Sequence, residues 1–297
     1  MSDNTNLGRA RAAGDDEFYT ALADVEREVA HYRAWFKGRR VLCDCDDPEW
    51  SNFYRYFSAN YEVLGLEGLV CTHFEPSPDR PSYALVREGD GDEVRVPLKG
   101  NGDFRSPECL AYLDWCDVVV TNPPFSLFRE FVPTVLSRGK ELLVIGPLNA
   151  LTYTGVLPAV VDGRLGVGVN HVKAFTRADG SVRRFGNTLW YTTLDHPGRH
   201  GGPVLYRSYA ADPSGWRVHD HAPALECPRV SDMPVDYDGL MAVPVTYIDH
   251  HDPSMFEIVG TLGAGGPLNR GPSSVGGEAR YKRLLVRRRS ETPSQTL

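Results

Sequence analysis

The stretch Asp117-Val118-Val119-Val120-Thr121-Asn122-Pro123-Pro124-Phe125-Ser126-Leu127-Phe128 reads DVVVTNPPFSLF. A β-branched apolar run, short enough for a buried strand, ends in an asparagine and two consecutive prolines, followed by an aromatic residue. Neither proline has a backbone N–H, each fixes its own φ, and the residue before each is pushed to an extended conformation. The expected product is a stiff corner at a strand end, whose proline backbone can accept hydrogen bonds but not donate them.

Outward from that corner, strands and helices alternate. Glu17 to Phe36 places Leu22, Val25, Val29, Tyr32 and Phe36 at helical spacing, and Gly38 ends the run. Val41-Leu42-Cys43 is a short strand entering the acidic turn DCDDPEW, and Ser51 caps a helix that stops at Gly65. GLVCTHFE is a second strand, residues 83–98 a hairpin, and Leu110 to Trp115 a short helix. After the corner, Phe125 to Arg138 reads as a helix bent at Pro133, and Glu141 to Ile145 as another strand. This order predicts an α/β fold with a mostly parallel central sheet and helices on both faces. Ligands of such sheets bind at the carboxyl ends of the strands. Asp44 to Asp47, Glu75 and Asn122 to Phe125 all fall there. Beyond about residue 200 the chain is rich in Pro, Gly and His with short strand-like pieces, and reads as an α+β extension. The organisation expected is a flexible tail over 1–14, a first domain over 15–200, a C-terminal region over 201–290 and a tail over 291–297.

The 297 residues are 41% hydrophobic, enough for a sizeable core, and carry a formal net charge of −7. That charge argues mildly against a generic nucleic-acid binder. The distribution says otherwise: Arg177, Arg183 and Arg184 form one basic cluster, and the run from Arg280 to Arg289, ending in Arg287, Arg288 and Arg289, forms another. No apolar run approaches the roughly 20 residues of a bilayer span, and the polar start is not a signal peptide, so a cytoplasmic protein without membrane contact is expected. Of six scattered cysteines only Cys43 and Cys45 lie close, the pattern of reduced thiols. His219-Asp220-His221 and His250-His251-Asp252 lack a fourth ligand at zinc-like spacing, so no metal is expected.

The corner suits one kind of chemistry. An exocyclic amine on an adenine ring is a poor nucleophile because its lone pair is delocalised. Two acceptors that hold both of its hydrogens favour a more pyramidal nitrogen. The Asn122 side-chain oxygen is one candidate acceptor, the Pro123 carbonyl projected by the Pro123-Pro124 corner is the other, and Phe125 offers a flat face for the base. A methyl donor in line behind the nitrogen would complete the arrangement, the rate coming from position and fixed dipoles. A base in a duplex must first leave its stack, at a cost of a few kcal/mol. The bland alternative is a strand that ends in a Pro-Pro turn before a helix.

Asn122-Pro123-Pro124-Phe125 resembles the [D/N/S]-P-P-[Y/F/W] signature of amino-methyltransferases that use S-adenosylmethionine. More narrowly, DEFYT (Asp16 to Thr20), CDDPEWSNFYRYF (Cys45 to Phe57), GNGDFRSPEC (Gly100 to Cys109), VVVTNPPFSLFREF (Val118 to Phe131), NALTY (Asn149 to Tyr153), GNTLWYTTL (Gly186 to Leu194), VPVTYIDHHDPSMFEIVG (Val243 to Gly260) and YKRLLVRRR (Tyr281 to Arg289) resemble the EcoRI-type adenine-specific DNA methyltransferases. The resemblance implies a Rossmann-like class I methyltransferase fold. It also implies adenine-N6 methylation of double-stranded DNA with S-adenosyl-L-methionine as cofactor, catalysis within 15–200 and DNA contact within 201–290. Phe18, Tyr19 and Thr20 then lean over the methionine end of the cofactor, and Asp44, Asp46, Asp47, Ser51 and Asn52 lie at its amino acid and ribose. Asp103 and Phe104 meet its adenine. Arg183, Arg184, Arg287, Arg288 and Arg289 become candidates for DNA contact. A monomer is expected, with a cognate restriction endonuclease as a functional counterpart and not as a complex. The first strand departs from the usual fold in lacking G-x-G, so its turn is expected at Asp47-Pro48 and Ser51-Asn52. RNA adenine or a protein glutamine amide as acceptor, and a catalytically silent nucleic-acid-binding module, are the alternatives.

Overall fold

The structure is a computed structural model, which describes residues 19–75, 77, 79–176, 181–184 and 186–289. Phe18, Arg177 and both predicted tails lie outside the described residues. The chain divides into two compact units, one of residues up to 147 with 167–196, the other of 148–166 with the residues from 197 onward.

The first unit is built on runs too apolar to face water. β2 (Arg40–Asp46), β3 (Gly68–His73), β6 (Val118–Thr121) and β7 (Glu141–Pro147) are almost wholly buried. Continuous Val/Leu/Ile strands of this kind belong inside a sheet covered on both faces. They pair in parallel in the order β3-β2-β6-β7. The hairpin β4 (Tyr83–Glu88) and β5 (Val94–Pro97) adds antiparallel strands beyond β3, and β11 (Thr188–Thr192) adds one beyond β7. β8 (Gly166–Val167) completes eight strands. The fold is therefore mixed α/β. Its four central strands are parallel as expected, whereas the margins are antiparallel.

Helix ends follow local chemistry. α2 (Asn52–Ala59) starts at Ser51, whose Oγ accepts from the Tyr54 N–H at 3.1 Å. The chain reverses after α3 (Tyr61–Leu64) through Gly65 at φ 64°. α4 (Pro107–Trp115) combines a Ser106 cap with proline in its first turn. α5 (Phe128–Ser137) begins three residues later than the periodicity suggests and contains Pro133. The first predicted helix is shorter still: α1 covers Leu22–Val29, while Tyr19–Thr20 forms strand β1. β1 pairs with β9 (Ala174–Thr176), which pairs with β10 (Val182–Arg184), giving a separate three-stranded sheet.

The second unit contains a four-stranded sheet in the order β12 (Ala224–Glu226), β13 (Leu240–Pro244), β17 (Arg283–Arg288) and β14 (Phe256–Leu262). The basic run thus enters an inner strand, in which Leu284, Leu285 and Val286 are fully buried while Arg287 and the following Arg289 are exposed. The buried Arg283 guanidinium meets Glu226 at 2.6 Å, and Glu226 also contacts buried His219. Within this group His219 has a carboxylate partner and a structural role.

Candidate active site

The acidic turn is shaped by a break in the sheet. β2 shifts register against β3 between Cys43 and Asp46, and its registered pairing with β6 ends at Leu42↔Val119. Cys45 lies at φ 60°, the only non-glycine in the left-handed region among the described residues. Such a conformation costs an L-residue roughly 1–3 kcal/mol and persists where its surroundings enforce it. The turn itself follows at Asp47-Pro48, as expected: the Asp47 carbonyl accepts from the Trp50 N–H at 2.9 Å and the Ser51 N–H at 2.7 Å.

Asp44 is 2% exposed; its carboxylate accepts from the Cys45 N–H at 3.0 Å and the Thr72 hydroxyl at 2.6 Å. Burial pushes its pKa up to about 6, against the pull of those two bonds, and the Asp103 charge adds to the rise. Burial likewise pushes Asp46 up to about 7, although hydrogen bonds from Thr121 and Ser51 favour its charged form. Asp46 keeps partial solvent access. Asp47 accepts from the Glu49 N–H at 2.9 Å and lies 3.7 Å from His73 Nε2. Asn52 Nδ2 donates to the Thr20 carbonyl at 2.8 Å, which fastens β1 to the start of α2. Thr20 Oγ1 is buried with no hydrogen-bond partner among the described residues.

Asp103 and Phe104 are brought to the same strand ends by a close backbone approach. Gly102 sits at φ 78°, and a Cβ there would lie 2.1 Å from the His73 carbonyl oxygen. Beside it, the Asn101 carbonyl accepts from the Glu75 N–H at 2.9 Å. The Asp103 carboxylate is gripped by Arg105 through its backbone N–H at 2.9 Å, Nε at 2.9 Å and a terminal nitrogen at 2.7 Å. Phe104 is buried with its ring edge-on to Phe131 at 5.2 Å.

The proline corner leaves the carboxyl end of β6. Asn122 and Pro124 are half-buried, and Pro123 and Phe125 are buried. Phe125 is only 5% exposed and meets Phe175 of β9 edge-on at 6.3 Å, so its ring is largely covered. Thr121, directly before the corner, donates through its hydroxyl to the Asp44 carbonyl and lies 3.0 Å from Asp46 Oδ2. The site thus joins Thr20, Asp44, Asp46, Ser51, Asn52, Asp103 and the corner at adjoining strand ends of one unit.

The profile of the family described as adenine-specific methyltransferase EcoRI matches residues 6–292. The chain belongs to this family. Among similar curated proteins are the type II methyltransferase M.EcoRI of Escherichia coli, 32% identical over 96% of this chain and 96% of its own length, and M.MpnI of Mycoplasma pneumoniae, 33% identical over 86% and 85%. M.MgeORF184P of Mycoplasma genitalium is 29% identical over 95% of this chain and 98% of its own length. No solved structure matches the chain. The chemistry of this EcoRI-family member is the methylation of adenine in DNA.

Three contributors to the site were not apparent in the sequence. Thr121 could have been suspected from a hydroxyl at the strand end; Thr72 and Phe175 carry no local signal. Among the basic candidates, Arg184 is exposed and Arg183 half-buried on β10. In the second unit Arg287 pairs with Glu257 at 2.6 Å, Arg288 lies over the Phe256 ring at 5.0 Å, and Arg289 donates to the Pro253 carbonyl at 2.7 Å.

Proposed function

We propose that the chain is a site-specific DNA adenine-N6 methyltransferase with a Rossmann-like class I core. Its methyl donor is S-adenosylmethionine and its substrate a flipped adenine of duplex DNA. The observation that carries this reading is the position of Asn122-Pro123-Pro124-Phe125 at the end of β6, bonded through Thr121 to the acidic end of β2. The donor set suits the cofactor: two carboxylates pushed up by burial are relieved by a neighbouring cation, and the Thr20 hydroxyl has an unused capacity. When bound, S-adenosylmethionine supplies a methyl group on a sulfonium, open to direct displacement.

The chain's own residues do the rest. Asn122 Oδ1 and the Pro123 carbonyl accept the two amine hydrogens and fix the nitrogen. Their dipoles are preset by the rigid corner, so little reorganisation accompanies transfer. Phe125 takes the base on its ring face once entry of the base uncovers it. Asp44, Asp46 and Asp47, with Ser51 and Asn52, bind the donor's amino acid and ribose, Tyr19 and Thr20 close over it, and Asp103 with Phe104 holds its adenine. The second unit contacts DNA, with Arg287, Arg288 and Arg289 on β17 and Arg183 and Arg184 on β10 as phosphate partners. The protein acts as a monomer in the cytoplasm, opposite a restriction endonuclease that it does not bind.

Incubation with methyl-labelled S-adenosylmethionine and duplex DNA, RNA or protein extract tests the acceptor. Label is expected in DNA; label confined to RNA or protein would remove this reading. Asp103→Ala is expected to weaken cofactor binding in equilibrium titration at least tenfold, about 1.4 kcal/mol.

A further inference from the structure

β2 and β6 carry the two halves of the site, yet their registered pairing stops at Leu42↔Val119. Beyond that pair β2 bulges at Cys45, and no registered pair joins its acidic end to the strand that runs into Asn122. Thr121 spans the interval. Its side chain is fully buried, and its backbone is held on the other side by registration with Val144 of β7. Its hydroxyl reaches the Asp44 carbonyl and the Asp46 carboxylate.

We propose that Thr121 is a positioning residue for methyl transfer, whose hydroxyl sets the spacing between the acidic turn that holds the donor and the corner that holds the adenine amine. The proposal rests on the assignment of those two halves given above. The geometry supports it. The one hydroxyl lies within hydrogen-bond reach of two acceptors of the acidic turn, the Asp44 carbonyl and Asp46 Oδ2 at 3.0 Å, so a single side chain ties both to the end of β6. Spacing matters because a misplacement of about 1 Å at the reacting atoms costs on the order of 100-fold in rate.

The test is single-turnover methylation of duplex DNA by the full chain, with binding of S-adenosylhomocysteine and of DNA measured separately. Thr121→Val keeps the shape and removes the hydroxyl. Its rate at saturating ligands is expected to fall by roughly 10- to 100-fold, with both affinities within about threefold of wild type. Thr121→Ser, which restores the hydroxyl, is expected to recover most of that rate. A Val variant within about twofold of the wild-type rate overturns the proposal, as does a Ser variant as slow as the Val variant, or a rate loss matched by lost cofactor affinity. Thr121→Cys, with a weaker donor, is read in the same way should the Val variant not fold. Asn122→Ala separates the two readings. If it keeps the full rate, the corner assignment fails; if it is inactive while Thr121→Val is fast, only the positioning role fails.

Discussion

Asp46 shows how a site prepared for a cation costs stability without one. Its pKa in the folded protein, about 7, lies above the usual carboxylate value near 3.9, so the native state holds the proton more tightly than the unfolded chain. Stability from this source is complete below about pH 4 and is lost as the pH rises through 7. Asp46→Asn removes that dependence while keeping an acceptor for Ser51. The ligand-free variant is expected to gain on wild type by at least ~1 kcal/mol between pH 5 and pH 8, read from urea unfolding at both values. A difference that is flat with pH would contradict the account. Gly102 gives a second check. A Cβ at φ 78° and 2.1 Å from the His73 carbonyl forces the Asp103 segment to move. Gly102→Ala is therefore expected to lower thermal stability and cofactor affinity together. At this scale Asn122 and the acidic residues were legible, because their chemistry is carried by residue type. The left-handed Cys45 was not, since nothing in its side chain calls for φ 60°.

Among elements, the parallel strands were legible because each is a continuous apolar run, whereas β1 was not. Tyr19–Thr20 continues a helical pattern in sequence and is drawn into a strand by pairing with β9, more than 150 residues away. The loop before β9 is held by Glu28 of α1, which is fully buried. Its carboxylate accepts from the Val169 N–H at 2.9 Å, the Asn170 N–H at 2.8 Å, Asn170 Nδ2 at 3.0 Å and the Tyr32 hydroxyl at 2.8 Å. Gly168 permits that approach, since a Cβ there would lie 2.1 Å from Glu28 Oε1. Asn170 is accordingly tied to α1 through its backbone N–H and its side-chain amide. Glu28→Ala leaves these donors unanswered and is expected to cost roughly 3–5 kcal/mol in denaturant unfolding. A loss under about 1 kcal/mol would show that water replaces the carboxylate. The basic strand β17 illustrates the other limit of the sequence. Its arginines read as a charged run, but Leu284, Leu285 and Val286 place the strand inside a sheet between β13 and β14.

At the scale of the molecule, each unit carries its own burden of buried charge. In the second unit burial alone would raise the Glu226 pKa, but hydrogen bonds from His219 and Arg283 outweigh it and bring it down to about 2. That stability is present above the unfolded value near 4.3 and is lost as the pH falls toward 2. Glu226→Gln is expected to destabilise the protein at pH 7 and much less at pH 3, as read from thermal melts. For DNA contact, alanine at Arg289 is expected to weaken binding evenly across sequences and reduce the salt slope by about one. The most direct test of the central claim is digestion of methylated duplex DNA to nucleosides after incubation with labelled S-adenosylmethionine, for wild type and Asn122→Ala side by side. The account predicts label in N6-methyladenine for wild type, and loss of transfer in the variant with cofactor binding intact. Label in another nucleoside, or full transfer by Asn122→Ala, would contradict it.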